Sequence, residues 1–148
     1  MGRGKVPFFS RQGTRIWECL DLFPVYVGGH AIGADTSVVS PKVKHVLKIS
    51  LDETKHDIYS IGAYDFNKDL YIPEPGFLAN ESSLRYDYGK YYASKSFFDS
   101  SKNRRVLFSW VNESSSPWAD LIKGWSGIHI RSLLYYSLCL IAQLKRCR

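Results

Sequence analysis

Short segments in which apolar and polar residues alternate recur along this chain, with brief polar turns between them. The clearest spans residues 43–51, where one set of alternating positions is largely apolar: Val43, His45, Leu47, Ile49 and Leu51. The other set holds Lys44, Lys48 and Ser50, with Val46 as the exception. Because successive side chains of a β-strand point to opposite faces of a sheet, this pattern predicts a half-buried strand whose lysines face solvent.

Five further segments have the composition of strands and end at turn-forming residues. They are residues 22–27, 58–64, 70–73, 91–98 and 105–111. Nothing before Leu133 has the apolar spacing and the length of an ordinary helix. Successive short strands of this kind are typical of a meander, a sandwich or the blades of a propeller. No repeat of fixed period is visible, so the pattern by itself predicts an all-β domain of antiparallel strands.

The net charge of +6 is concentrated at the two ends of the chain. Residues 1–12 carry three basic residues and residues 129–148 carry four, with no acidic residue in either segment. A nucleic-acid interface needs its positive charge on one folded surface, so we expect no nucleic-acid partner. The longest apolar run, residues 133–144, is shorter than the roughly 18–20 residues of a membrane-spanning helix, so we expect no membrane segment.

The spacing of cysteine and histidine gives no sign of a metal site. Cys19, Cys139 and Cys147 form neither a disulfide framework nor a ligand pattern, and we expect no metal or organic cofactor. Asn80 and Asn112 each begin an Asn-x-Ser sequon, which would accept a glycan if the chain were secreted. The apolar patch near the N-terminus is too short for a signal peptide, so the chain as written is expected to have no export signal.

One carboxylate stands out because it lies between a tryptophan and a cysteine, in the stretch RIWECLDLFPV (residues 15–25). Glutamate is seldom fully buried. If the stretch is a regular strand, Trp17 and Cys19 pack inward and Glu18 faces water. Otherwise Glu18 is a functional carboxyl with apolar neighbours. The residues alone leave both interpretations open.

Four longer segments carry a family resemblance. They are GTRIWECLDLFPV (13–25), KHVLKISLDETKHD (44–57), RYDYGKYYASKSFFDSSKNRRVL (85–107), and WVNESSS with KGWSGI (within 110–128). Together, in this order and spacing, they resemble plant acid invertases and fructan exohydrolases of glycoside hydrolase family 32, most closely the cell-wall branch. The resemblance divides the chain into an unmatched segment (1–12), a partial N-terminal propeller domain (13–128) and a divergent basic and apolar tail (129–148).

The resemblance implies a fold and an activity. The fold is a five-bladed β-propeller, of which this all-β chain would form a fragment of about two to three blades. The activity is that of a β-fructofuranosidase-type glycosidase, an enzyme that hydrolyses terminal β-D-fructofuranosides such as sucrose with retention of configuration. The glutamate of the family's Trp-Glu-Cys motif is the general acid/base and matches Glu18. A retaining glycosidase pairs such an acid with a carboxylate nucleophile about 5–5.5 Å away.

Other positions match residues of the family one by one. Asp52 and Lys55 match an Asp and a Lys that help to hold the glucose half of sucrose in invertases, although spacing alone assigns them to a solvated turn. Tyr92 matches an aromatic residue near the pocket, although a strand tyrosine needs no function. Trp17 is expected to contact the substrate. Asp21 follows the acid/base and is expected either to support it or to cap a turn.

The chain also departs from the family. Neither the Asn-Asp-Pro-Asn-Gly motif, which carries the family's nucleophile, nor the Arg-Asp-Pro motif occurs in the sequence. We therefore expect an incomplete site with no nucleophile of its own. Two alternatives remain open, a fructan exohydrolase and a non-catalytic sugar-binding remnant of the propeller. A sugar substrate is the partner that the family implies, members are secreted to the cell wall or vacuole, and no oligomeric state is indicated.

Overall fold

The computed structural model describes residues 16–27, 35, 37–75, 84–113 and 116–134, which form two antiparallel sheets. The first sheet contains, in spatial order, β1 (Trp17–Tyr26), β2 (Val43–Leu51), β3 (His56–Asp65) and β4 (Leu70–Pro73). The second contains β5 (Tyr91–Asp99), β6 (Arg104–Val111) and β7 (Ile128–Leu134). Strands that are adjacent in sequence are adjacent in space, which is the meander connectivity of propeller blades. The predicted all-β class of antiparallel strands is confirmed.

The strands agree with the sequence pattern except near the two ends of the described region. β1 begins at Trp17, five residues before the predicted strand, so Glu18 lies within a strand. β7 pairs with β6 along its whole length and lies at the start of the segment that the sequence set apart as a tail. Several expectations fall outside the described residues: the segments 1–12 and 135–148, Asn80, Cys139 and Cys147.

One short helix, α1 (Pro117–Lys123), connects β6 to β7. Ser116 caps its N-terminus by accepting a hydrogen bond from the Ala119 backbone N–H at 3.2 Å, and a proline occupies the first turn, where it costs no hydrogen bond. Gly124 ends the helix with a left-handed φ of 77°. In the part of the chain that the structure describes, no helix is long and apolar enough to cross a membrane.

Two apolar clusters pack against opposite faces of the first sheet. The cluster between the two sheets includes Phe23, Val46 and Ile61 of the first sheet and Leu107 of the second. The cluster on the other face is built from Leu47, Ile49, Leu51, Ile58 and Tyr71. Because β2 contributes Val46 to one cluster and Leu47 to the other, it is a central strand that is buried on both faces.

The prediction that β2 is half-buried is therefore wrong. Lys48 and Ser50, which the alternation placed toward solvent, are both 0% exposed. The reason is tertiary: β5 of the second sheet lies against this face of the first sheet, and the Lys48 ammonium donates a hydrogen bond to the backbone carbonyl of Ser94. Only Lys44, at the start of the strand, remains partly exposed, where it forms an ion pair with Glu74 at 2.7 Å.

Candidate active site

A β-bulge near the start of β1 determines where Glu18 points. The pairing of β1 with β2 changes register between Glu18 and Asp21, and Cys19 within this bulge has a left-handed φ of 43°. A bulge interrupts the alternation of side chains and can turn a residue toward a site. Glu18 is half-buried as a result, whereas Cys19 and Leu20 are exposed. The alternative in which Cys19 packs inward and Glu18 faces water is wrong, because it assumed a regular strand.

A second bulge, in β5, places Tyr92 beside Glu18. The pairing of β5 with β6 changes register between Tyr92 and Lys95, and Ala93 has a left-handed φ of 56°. The Tyr92 hydroxyl donates a hydrogen bond to Glu18 Oε2 at 2.5 Å. Burial, followed by the neighbouring Glu18 carboxylate, raises the pKa of Tyr92. The phenol therefore keeps its proton at neutral pH and serves as a donor to the carboxylate.

Asp21 joins the two bulges from within the protein. Its carboxylate is buried, and its Oδ2 accepts a hydrogen bond from the backbone N–H of Ser96 at 2.7 Å. A second hydrogen bond joins the same two strands in the same direction, since the Lys95 ammonium of β5 donates to the backbone carbonyl of Leu20 in β1. The partner of the Asp21 side chain thus lies on β5 and not in its own turn, which makes Asp21 a link between the strands that carry Glu18 and Tyr92.

Asp52 and Lys55 lie in the turn between β2 and β3, next to Tyr92. They form an ion pair with each other, and the Lys55 Nζ lies 5.3 Å from the centroid of the Tyr92 ring. The hydrogen bond that Lys55 donates to Asp52, with the charges of Asp52 and Glu18, raises the pKa of Lys55 against a smaller opposing effect of desolvation. The turn position that spacing predicted and the proximity that the resemblance implied are therefore both seen.

Trp17 has a different environment from the other candidate residues. It is half-buried and packs against the apolar cluster of Leu47, Ile49 and Tyr71. Its structural surroundings are thus those of a core residue at the edge of the sheet. Among the described residues, the structure brings together Glu18, Tyr92, Asp52 and Lys55, with Asp21 beneath them.

The sequence analysis missed Asp57, Lys48 and Ser50, which lie directly behind Tyr92. Asp57 is 1% exposed and accepts hydrogen bonds from Ser50 Oγ at 2.6 Å and from the backbone N–H groups of Ala93 and Ser94 at 3.2 and 2.9 Å. One signal for this group was present in the sequence. A turn at residues 52–55 pairs Ser50 with Asp57 across the β2–β3 hairpin, and two polar residues facing each other inside apolar strands indicate a buried polar contact.

The site is able to transfer a proton and to bind a polar ligand. Glu18 keeps part of its carboxyl accessible while Tyr92 fixes one of its oxygens, so the other oxygen can exchange a proton with a bound molecule. Aromatic and charged groups around it are those that orient hydroxyl-rich ligands. No cluster of three or more His, Cys, Asp or Glu side chains suited to a metal ion occurs within the described ranges.

A family profile and several curated proteins match this chain. The profile of the glycosyl hydrolases family 32 N-terminal domain matches residues 4–134. A fructan 6-exohydrolase of Beta vulgaris is 57% identical over 122 residues, which make up 82% of this chain and 20% of that protein. The cell wall isozyme of β-fructofuranosidase from Pisum sativum is 58% identical over 127 residues, covering 84% of this chain and 23% of that protein.

Solved structures agree with these matches. The crystal structure of fructan 1-exohydrolase IIa from Cichorium intybus superposes with a TM-score of 0.74 at 43% identity, covering 82% of this chain and 23% of that one. A variant of that enzyme in complex with 1-kestose superposes with a TM-score of 0.71. The chain thus spans about a fifth of the length of the proteins it matches.

Proposed function

The chain belongs to glycoside hydrolase family 32, and on that premise we propose that it supplies the acid/base part of a site that hydrolyses terminal β-D-fructofuranosides, with Glu18 as the general acid/base. The observation that carries this proposal is the hydrogen bond from Tyr92 to Glu18 Oε2 between two facing bulges. Two strained, non-glycine bulge residues at one contact are typical of a functional site.

The proposed chemistry divides the work between two carboxyl groups. Glu18 protonates the leaving oxygen as a carboxylate nucleophile attacks the anomeric carbon, and then takes a proton from the water that hydrolyses the covalent intermediate. Tyr92 holds Oε2, which leaves Oε1 of Glu18 to exchange the proton. The family's nucleophile motif is not in this sequence, so the attacking carboxylate belongs to another part of the propeller.

Asp52 and Lys55 favour sucrose as the substrate. Their ion pair lies beside the Tyr92 ring. In this position it can hold the hydroxyl groups of the glucose half of sucrose. The runner-up is a fructan, because one relative with 57% identity is named a fructan 6-exohydrolase. The cell wall is the proposed place of action, since other relatives carry that location in their names.

A non-catalytic, sugar-binding remnant is disfavoured by the environment of Glu18. A carboxylate without a function has no reason to be half-buried and held by a buried phenol, and it would more simply face bulk water. The contact with Tyr92 therefore supports descent from a working site and the acid/base role.

The experiment that tests the acid/base role is a chimera. Residues 16–134 replace the matching segment of the Cichorium intybus fructan 1-exohydrolase, which then supplies the rest of the propeller. Glu18→Gln is expected to lower kcat/KM for 1-kestose by about 10²–10⁴-fold, the usual contribution of general acid catalysis. With β-D-fructofuranosyl fluoride, whose leaving group needs no proton, the loss of kcat/KM is expected to be much smaller, because kcat/KM reports the step in which the leaving group departs. Glu53→Gln, an exposed glutamate of the neighbouring turn, is the control and should leave both rates unchanged.

Two results would contradict the proposal. Equal losses of kcat/KM on 1-kestose and on the fluoride would mean that Glu18 does not donate a proton to the leaving group. Full activity of Glu18→Gln would remove it from the chemistry altogether. The same chimera tests the substrate: Asp52→Asn is expected to raise KM for sucrose more than KM for 1-kestose, and an equal change would favour the fructan.

A further inference from the structure

The β5 bulge behind the candidate site is held by side chains from three other strands. The backbone carbonyl of Tyr92 accepts a hydrogen bond from Ser109 Oγ of β6 at 2.7 Å. The backbone N–H groups of Ala93 and Ser94 both donate to the carboxylate of Asp57, on β3. The carbonyl of Ser94 accepts from the ammonium of Lys48, on β2. These four backbone groups lie where the register shifts, and each of them is hydrogen-bonded to a side chain.

This bulge needs such support because its backbone is strained. Ala93 has a φ of 56°, in the left-handed region that residues with a Cβ atom rarely occupy. A conformation of this kind persists only where the surroundings determine it. Asp57 is placed to do so, because it takes the N–H of the strained residue and the N–H of the next one on its two separate oxygens.

Asp57 is itself fixed in place by two buried partners. Ser50 donates a hydrogen bond to its Oδ1, and the Lys48 Nζ lies 3.6 Å from its Oδ2. Lys48 and Ser50 are fully buried, and Lys48 also donates to Ser50 Oγ at 2.9 Å. Burying a carboxylate and an ammonium together costs desolvation free energy. Here both charged groups bond to the backbone of the bulge, Asp57 at Ala93 and Ser94 and Lys48 at Ser94.

We propose that Asp57, oriented by Lys48 and Ser50, is a positioning residue that holds the β5 bulge in the conformation that places the Tyr92 hydroxyl on Glu18. The chain of contacts runs from Asp57 to the N–H groups of Ala93 and Ser94, through the backbone to Tyr92, and from its hydroxyl to Glu18. A role of Asp57 in catalysis rests on the function proposed for Glu18. Its role in holding the bulge does not depend on that function.

The test follows the Tyr92 hydroxyl proton by ¹H NMR in the full 148-residue chain without substrate. A phenol proton that is hydrogen-bonded to a carboxylate resonates downfield of a free phenol proton, and it is assigned by its disappearance in Tyr92→Phe. In Asp57→Asn we expect this resonance to be lost or to move upfield. Adding Ala93→Gly is expected to restore it, because glycine adopts the left-handed conformation without the carboxylate.

Asp65→Asn is a matched control for Asp57→Asn. Asp65 also accepts two backbone N–H groups, those of Asn67 and Lys68, and it also lies 3.6 Å from a lysine ammonium, that of Lys68. It is the last residue of β3, at the start of the turn to β4 and away from Tyr92. Its variant is expected to lose stability and to keep the Tyr92 resonance, which separates a loss of support at Tyr92 from a general loss of stability.

The outcomes decide the inference in either direction. An unchanged resonance in Asp57→Asn would overturn it, and so would a loss that Ala93→Gly does not restore, since the change would then come from the unpaired charge of Lys48. If Asp57→Asn does not fold, Ser50→Ala replaces it, with a smaller upfield shift expected and no shift overturning the idea. An inactive chimera with the expected NMR result would defeat the proposed function and leave this inference standing.

Discussion

The Tyr92 hydroxyl and Glu18 Oε2 lie 2.5 Å apart, although these residues are 74 positions apart in the chain and belong to different sheets. Each residue directly precedes a bulge, and the two bulges contact each other through Asp21 and Lys95. The hydrogen bond between Tyr92 and Glu18 therefore depends on the two bulges, one in β1 and one in β5. It also gives the first measurable consequence.

Removing the Tyr92 hydroxyl should destabilise the protein, because the Glu18 carboxylate loses a hydrogen-bond donor. We expect Tyr92→Phe to lower the free energy of unfolding by about 1.5–3 kcal/mol, the range for hydrogen bonds that involve a charged group. Glu18→Gln should cost less in the Tyr92→Phe background than in the native chain, because the shared interaction is already gone. Urea unfolding of the four proteins measures this coupling. Tyr88→Phe, at a residue that is 71% exposed, should be neutral, and strictly additive losses would show that the contact does not form.

Much of the fold followed from local sequence. Alternation and turn residues indicated six of the seven described strands, because each strand is short and ends where turn-forming residues collect. The bounds were off by more than two residues only for β1, which begins five residues before the predicted strand. The burial of Lys48 could not be predicted in this way. Its side chain is inside because β5 covers that face of β2, and a contact between residues 46 positions apart leaves no trace in the local alternation.

The sequence indicated candidate site residues but not the geometry that joins them. The resemblance indicated Glu18, Asp52, Lys55 and Tyr92, and the structure brings all four together. The bulges at Cys19 and Ala93 were not predictable, because neither residue is a glycine or an asparagine, the usual signals of a left-handed backbone. The pairing of Asp57 with Ser50 could have been read from the hairpin, but its bonds to the backbone of Ala93 and Ser94 could not, because they depend on the bulge.

Asp21 should contribute to stability through the link that it makes to β5. Its buried carboxylate accepts the Ser96 N–H, and the charge of Asp21 also favours the ionised form of Arg105, whose pKa burial lowers. We expect Asp21→Asn to lower the free energy of unfolding by about 1–3 kcal/mol. Asp87→Asn is the control, because Asp87 also accepts one backbone N–H, that of Gly89, in an exposed turn. Equal effects of the two variants on the urea midpoint would contradict the role of Asp21.

Tyr71 should make the protein less stable in alkaline solution. Burial raises the pKa of Tyr71 to about 12, which the contact with Ser60 only partly opposes. Because the folded-state pKa lies above the unfolded value of about 10, this stability is fully present below pH 10 and is lost as the pH rises from 10 through 12. Two pH units correspond to about 2–3 kcal/mol.

The measurement is the free energy of unfolding at pH 8 and at several values between pH 10 and 12, in the native chain and in Tyr71→Phe. Tyr92, whose pKa is also raised, contributes a loss of the same sign, so the quantity of interest is the difference between the two proteins. The variant should show a shallower decline. Tyr88→Phe should follow the native curve, and a Tyr71→Phe curve that does so as well would contradict the assignment.

Gly127 is expected to be essential for the packing beneath Tyr92. It has a φ of 72°, and a Cβ atom added there would lie 1.7 Å from Nε1 of Trp110. Trp110 is the residue paired with Tyr92 across β5 and β6. Gly127→Ala therefore combines backbone strain with a displaced indole ring. The displaced ring belongs to β6, the strand that pairs with β5 at Tyr92.

Gly124 provides the matched control for this last prediction. It has a similar φ of 77°, but nothing lies within 4 Å of an added Cβ atom. Gly124→Ala should cost about 1–2 kcal/mol, the penalty of the left-handed conformation alone, and Gly127→Ala should cost a further 1–3 kcal/mol or so from overpacking. Only Gly127→Ala should shift the Trp110 indole N–H resonance. Equal losses would mean that the ring moves aside freely and that the close approach of Gly127 does not fix the position of the Trp110 indole.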